Sequence, residues 1–191
     1  MRFDLHIHSC LSPCASLEMS PSEIVCRAAA AGMDCIAITD HQSAMNAPAM
    51  AECAKRAGMK CLFGIEVCTA EEVHTLAIFD TVPQAIAMTE WVYASMPKRV
   101  NDPDVFGPQP IVTGDDEIVD MEWRILAMGC RRSIQETSCK CREIGGLYIA
   151  AHIDRPNFSV YSQLGAIPEG CFDAVEFSRT ADESLWMPKS G

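Results

Sequence analysis

The chain is poor in positive charge. Lys and Arg together number 15 against 26 Asp and Glu, a formal net charge of −11. No basic face is available to displace counterions from a long phosphate backbone, so extended duplex nucleic acid is not expected as a partner. Long apolar runs are also missing. No stretch reaches the roughly 18 uncharged residues of a membrane span, and Asp4 and two histidines stand where a signal peptide would be apolar. These absences point to a cytoplasmic location and no membrane partner. No CxxC pair occurs, although cysteine itself is abundant at 11 residues. The number is odd, the spacing is irregular, and Cys26, Cys35, Cys53, Cys61 and Cys68 fall inside apolar patterns, so reduced thiols are expected. Internal repeats and low-complexity segments are absent too.

What is present is enough apolar sequence, 49% of 191 residues, to bury one sizeable core, and one domain over residues 1–191 is the expectation. Strand and helix patterns alternate from the start. Arg2–His8 alternates as a strand. Ser20-Pro21 opens a helix that runs to Ala31 and stops at Gly32, because Ser caps free N–H groups and Pro tolerates the first helical position. Asp34–Thr39 follows as a strand, Ala47–Ala57 as a helix ended by Gly58, then Lys60–Val67 and Val73–Phe79 as strands. This βαβα order predicts a parallel sheet or barrel. Pro83–Ser95 reads as a helix, residues 97–120 as a proline-rich excursion with a small hairpin around Ile111–Val119, and Met121–Glu143 as one long amphipathic helix. Strands at Leu147–Ala151 and Ala174–Phe177 complete six.

The five histidines, His6, His8, His41, His74 and His152, all lie within or directly after these apolar runs, each with an acidic residue nearby. Written in one dimension, that is how a metal site built from the ends of several strands looks. Alternation along the first strand sends Asp4, His6 and His8 to one side, so two imidazoles can meet one ion while Asp4 orients a ring from behind. Glu66 closes an apolar strand, and a carboxylate buried there needs a cation. Asp40, beside His41, is expected to cap a helix or orient a neighbouring ligand. Arg155 is expected to make fork-like contacts to phosphate oxygens.

In this order and at these intervals, the segments DLHIHS, AITDH, GIEV, EVH and AAHIDRP resemble the polymerase and histidinol phosphatase (PHP) superfamily of metal-dependent phosphoesterases. The resemblance spans nearly the whole chain. It implies an α/β fold, a distorted (β/α)7 barrel with a cluster of two to three divalent ions (zinc, manganese or iron) at the strand ends. It further implies that His6 and His8 hold one ion, that Glu66 bridges it to a second held by His74 and His152, and that His41 faces a third. A metal-activated hydroxide would then attack a small phosphomonoester or nucleotide, with Glu66, Arg155 and Asp40 serving the chemistry. Two other readings remain: a metal-binding domain with a regulatory or interaction role, and an exonuclease on short single strands. The chain departs from the pattern at two places. The loop after the HxH pair carries Pro13 and Cys14 where many members bring an acidic or histidine ligand, and no D-x-H motif follows His152. With six strands counted against seven, the expectation is an open barrel lacking its last strand, which either forms a homodimer to cover the gap or loses stability, with weak activity as well.

Overall fold

The computed structural model describes residues 1–179 and 181. In chain order its elements are β1 (Phe3–Ile7), α1 (Pro21–Ala30), β2 (Cys35–His41), α2 (Ala47–Ala57), β3 (Lys60–Cys68), β4 (His74–Phe79), α3 (Val82–Tyr93), α4 (Pro103–Phe106), β5 (Pro110–Val112), β6 (Ile118–Met121), α5 (Ile134–Ile144), β7 (Leu147–Ala150), α6 (Val160–Leu164) and β8 (Ala174–Val175). Local chemistry accounts for the helix ends. Ser20 accepts from the Glu23 N–H at the start of α1, with Pro21 next to it, and Gly58 closes α2 in the left-handed region at φ 68°.

Six strands form one curled sheet in the order β1-β2-β3-β4-β7-β8, and β5 pairs with β6 as a separate hairpin. The main sheet is mixed. β1 and β2 run parallel to β3, but β4 is antiparallel to both β3 and β7. The parallel sheet expected from alternating strand and helix patterns is therefore corrected at one strand. Only residues 69–73 separate β3 from β4, a span that can turn a hairpin but is too short for a crossover helix. The family-type α/β architecture with an open, six-stranded half-barrel stands.

The outer face of the sheet carries the larger core. Ile36, Ile38, Phe63, Ile65, Val67 and Tyr148 pack there against α1, α2, α3 and α5 through residues such as Val25, Met50, Met88 and Cys141. A smaller cluster of Ala37, Leu76, Ile78, Ile149 and Ala151, with Leu5 and Leu62 beside it, fills the concave face. Strands β1 and β8 are the two edges.

Two expectations are corrected further along the chain. The long helix over Met121–Glu143 is only α5, because Ser133 and Glu136 form a capping box that starts the helix there. Upstream backbone is spent otherwise: Gln109 accepts from the Leu126 N–H and donates to the Glu122 and Arg124 carbonyls, and the Cys130 N–H bonds to Cys68. The last strand, expected to reach Phe177, ends at Val175. The hairpin in the proline-rich excursion is present as β5 and β6. All eleven cysteines are free, and no described helix is long and apolar enough to cross a membrane.

Gly64 shows how closely β3 and β4 approach. A Cβ at that position would lie 2.3 Å from the Ala77 carbonyl oxygen and 3.1 Å from the Ile78 Cα. Both obstacles are backbone and cannot swing aside. Gly64→Ala should therefore cost about 1–3 kcal/mol, read as a lower urea midpoint at unchanged slope. An unchanged midpoint would mean that the two strands are not held this tightly.

Candidate metal centre

Strand direction explains why six donor groups meet. β1, β2, β3 and β7 all finish at the same end of the sheet, and β4, running the other way, begins there. His6 and His8 leave β1, His41 ends β2, Glu66 sits near the end of β3, His74 opens β4, and His152 follows β7. All six line one cavity of about 390 Å³, together with Cys14, Arg155, Glu176 and Arg179. His152 takes a φ of 29°, a strained turn made directly beyond β7.

Glu66 is the centre of the arrangement. Only 1% exposed, it lies 3.2 Å from His6 Nε2, 3.3 Å from His8 Nε2, 3.0 Å from His41 Nδ1, 2.9 Å from His74 Nδ1 and 3.2 Å from His152 Nε2. Every sequence-predicted histidine thus reaches the same carboxylate. Donor atoms fall within 4.8 Å of one another in three trios: His6–His8–Glu66, His41–Glu66–His74 and His8–Cys14–His41.

The outer nitrogens decide which way the rings present their lone pairs. Asp40 is fully buried and accepts from the Ser9 N–H at 2.6 Å, Ser9 Oγ at 2.7 Å and Ser12 Oγ at 2.6 Å. Ser12 has then used its one proton. Its oxygen can only accept, from the His41 N–H and from His8 Nδ1, each at 3.0 Å. His8 is held as the Nδ1–H tautomer, with its Nε2 lone pair turned inward. His6 is held the same way, its Nδ1 3.1 and 2.9 Å from the two oxygens of Glu176. The two Nε2 atoms are 3.0 Å apart and both face Glu66. Two lone pairs and a carboxylate aimed at one point repel unless a cation lies among them, so the donor set fits a bound metal ion. His74 is braced by the Phe158 ring at 4.8 Å, while His152 Nδ1 is buried with no hydrogen-bond partner among the described residues.

Without a metal, protons take the cation's place. Burial opposes the charged form of His6, but Glu176 and Glu66 lift its pKa to about 9. Burial likewise opposes protonation of His41, where Cys14 and Glu66 lift the pKa to about 10. Glu66 is driven far below the carboxylate range: burial works against this, and the surrounding imidazoles outweigh it. At the exposed rim, Cys14 Sγ lies 3.5 Å from His8 Nδ1. Burial disfavours its thiolate, yet His41 and His8 bring the thiol down to about 6.

Asp40 caps no helix; it reaches the His8 ring through Ser12. Asp4 does not share the face of the histidines. Asp4 pairs with Ile36 and Ile7 with Ile38, so three β1 residues span two of β2, and this bulge breaks the alternation. Leu5 packs inside and Ile7 outside, and Asp4 accepts only the His6 backbone N–H, at 3.1 Å. The carboxylate behind the His6 ring is Glu176, which sequence reasoning missed. It closes an apolar run just as Glu66 does, and that shared pattern was the available clue. Arg155 does line the cavity, joined by Arg179, also missed; among the described residues neither guanidinium has a carboxylate partner.

A curled α/β sheet with histidines and a buried glutamate on its strand ends defines a metal-binding domain of the strand-end type. Residues 4–183 match the PHP domain, and the chain belongs to that family, whose members are metal-dependent hydrolases. Among solved structures, a protein assigned as a metal-dependent phosphoesterase from Bifidobacterium adolescentis aligns over 92% of this chain and 77% of its own, with a TM-score of 0.63 and 19% identity. A lesion-specific endonuclease from Pyrococcus furiosus aligns over 94% of this chain but 42% of its own, with a TM-score of 0.63 and 21% identity. An amidohydrolase from Chromobacterium violaceum, solved with sulfate, aligns over 81% of this chain and 68% of its own, with a TM-score of 0.53 and 20% identity. At these identities the likeness establishes the fold alone. No curated protein matches the chain.

Two outcomes are expected. Free imidazoles titrate near 6.5, so the stabilisation from raised His6 and His41 is complete below about that pH and is lost as pH climbs through about 9 and about 10. Chelated protein should therefore melt at falling temperature from neutral pH towards 10, and zinc should remove the trend by replacing the protons. A flat profile in chelator would contradict the assigned proton-holding role. Secondly, Cys14 should be alkylated before the other exposed thiols, Cys26 and Cys139, in metal-free protein at neutral pH. Peptide mass spectrometry would show this, and equal rates at all three would refute it.

Proposed function

We propose that the chain is a metal-dependent phosphoric ester hydrolase acting on a small phosphomonoester or nucleotide, with two to three divalent ions, zinc, manganese or iron, held by His6, His8, His41, Glu66, His74 and His152. The observation that carries this reading is the convergence of five imidazoles on the buried Glu66 carboxylate, with the inward lone pairs of His6 and His8 fixed by their outer partners. Bound there, the ions would supply Lewis acidity, acidifying a water and offsetting charge on the phosphate oxygens.

The chain's own residues do the rest. Glu66 keeps its charge at any ordinary pH because the imidazoles hold its pKa down. Asp40, acting through Ser12, keeps His8 from rotating. Arg155 and Arg179 stand on the cavity wall, where their N–H groups can donate to phosphate oxygens. A small substrate suits both the net charge of −11 and a cavity of about 390 Å³. Eleven free thiols suit a reducing, cytoplasmic setting.

The test is metal content and turnover of the same preparation. After supply of zinc, manganese or iron, about two ions per chain and phosphoester hydrolysis that chelator abolishes are expected; less than about half an ion per chain, or turnover indifferent to chelator, would sink the proposal. Glu66→Gln should lose more than the ~10–100-fold in metal affinity that a merely supporting partner costs. Arg155→Ala should raise KM about 10- to 100-fold, the equivalent of a ~1.5–3 kcal/mol charged hydrogen bond. A mononucleotide should be a better substrate than a short single strand; the reverse preference would favour the exonuclease reading.

A further inference from the structure

We infer that Glu176 is a positioning residue of the metal centre: from the residue after β8 it locks the His6 ring and the His152 backbone together across the open seam of the sheet, and so aims His6 Nε2 at Glu66. The inference rests on the proposed role of His6 as a ligand. It adds to that role a residue from the opposite edge of the fold.

The seam is real in the topology. β1 and β8 are the two ends of the strand order, and no pairing joins them among the described residues. A groove of about 480 Å³ runs between them, floored by Leu5, Leu76 and Ile149 and flanked by Phe3 and Val175. At the end of this groove both Glu176 oxygens lie near His6 Nδ1, at 3.1 and 2.9 Å, and Oε2 also accepts the His152 backbone N–H at 3.1 Å. One carboxylate therefore grips a ligand on the first strand and the turn that carries a ligand after β7.

Each of the other braced rings has a partner of its own. His8 is fixed by Ser12 and Asp40, and His74 is covered by the Phe158 ring. The bulge in β1 has taken Asp4 off the ring side, so Glu176 is the one described carboxylate behind the His6 imidazole. A neutral imidazole whose Nδ1–H is given to a carboxylate must offer Nε2 as its lone-pair nitrogen, and the carboxylate makes that nitrogen a stronger donor to a metal. Removing Glu176 frees the ring to rotate and frees either nitrogen to carry the proton.

The experiment measures zinc affinity by chelator competition, and reads the His6 ring in the zinc-loaded protein by two-bond 15N–1H NMR, which distinguishes zinc on Nε2 with a proton on Nδ1 from the opposite arrangement. Wild type should show Nδ1–H. Glu176→Ala should bind zinc about 10- to 100-fold more weakly and lose the single His6 arrangement. Glu176→Gln, whose amide oxygen can still accept from Nδ1, should keep the arrangement and lose less affinity. Asp173→Ala serves as the structural comparison, because Asp173 ties the Tyr148 N–H and Arg142 on the same segment without facing the centre; it should lower the melting temperature and leave zinc affinity and the His6 signals unchanged. If Glu176→Ala does not fold, Glu176→Gln decides: unchanged affinity there overturns the role of the charge. Zinc bound equally tightly, through the same nitrogen, in Glu176→Ala defeats the inference alone, whereas a wild type that binds no zinc defeats the reading of the centre along with it.

Discussion

The structure turns on a carboxylate that has been taken out of water. Burying an isolated carboxylate charge is prohibitive, and Glu66, at 1% exposure, is left with no water shell to fall back on. Its surroundings answer in one way only, with imidazoles. Imidazole is the side chain that can supply either an N–H or a lone pair to the same point, so the cluster can hold protons or metal ions without rebuilding. Because the outer nitrogens of His6 and His8 are already committed as donors, those two rings cannot solvate Glu66 as neutral hydrogen-bond donors. A cation between these two rings and the carboxylate, whether a proton or a metal ion, relieves that conflict, while His41, His74 and His152 remain able to donate to Glu66.

Bringing five rings to one carboxylate demands that strands of both directions share an edge. The β3–β4 hairpin achieves this with a tight connection, the Thr69 N–H bonding to the Val73 carbonyl, so that His74 pairs across from Cys68, two residues beyond Glu66. A crossover helix between those strands would have carried His74 to the far end of the sheet. The close approach at Gly64 and the bulge in β1 serve the same end: one lets β4 lie against β3, the other turns His6 and His8 inward while Ile7 still packs against the helices. The convergence of the donor groups and the packing of the core are settled by the same few backbone irregularities.

Much of this could be read from the residues. The five histidines and Glu66 were legible because each ends or opens an apolar run, and a polar donor in that place has little reason to exist outside a site. The capped helices α1 and α2 were legible from Ser20-Pro21 and Gly58. The direction of β4 was not, since an apolar run reads the same both ways, and only the shortness of residues 69–73 hinted at it. Nor was the bulge, because strict alternation is the default and nothing in Asp4–Ile7 announces a break. Helix α5 is shorter than its periodicity suggests for a different reason: apolar spacing in residues 121–133 imitates a helix, while the Ser133–Glu136 capping box marks the true start. Glu176 carries the same local sign as Glu66, a carboxylate closing an apolar run, but its partner across the sheet is not written in that run, and Arg179 has no local sign at all.

The distribution of the scarce positive charges reconciles an acidic chain with the anionic substrate proposed for it. Several cations elsewhere are paired with carboxylates: Arg27 with Glu23, Arg56 with Asp115, Arg124 with Glu122, Arg132 with Glu136, Lys140 with Glu143 and Arg142 with Asp173. On the cavity wall, Arg155 and Arg179 face the histidine cluster with no carboxylate partner among the described residues. At physiological salt the field of the remote acidic surface is screened beyond about 8 Å, so a phosphate that has reached the cavity experiences the arginines and whatever cations the histidines hold rather than the net charge of −11. The negative surface then discourages long polyanions, which must lie across it, and spares a small one, which need only enter. On the proposed reading, selectivity for size would follow from charge placement before any contact with the rest of the substrate.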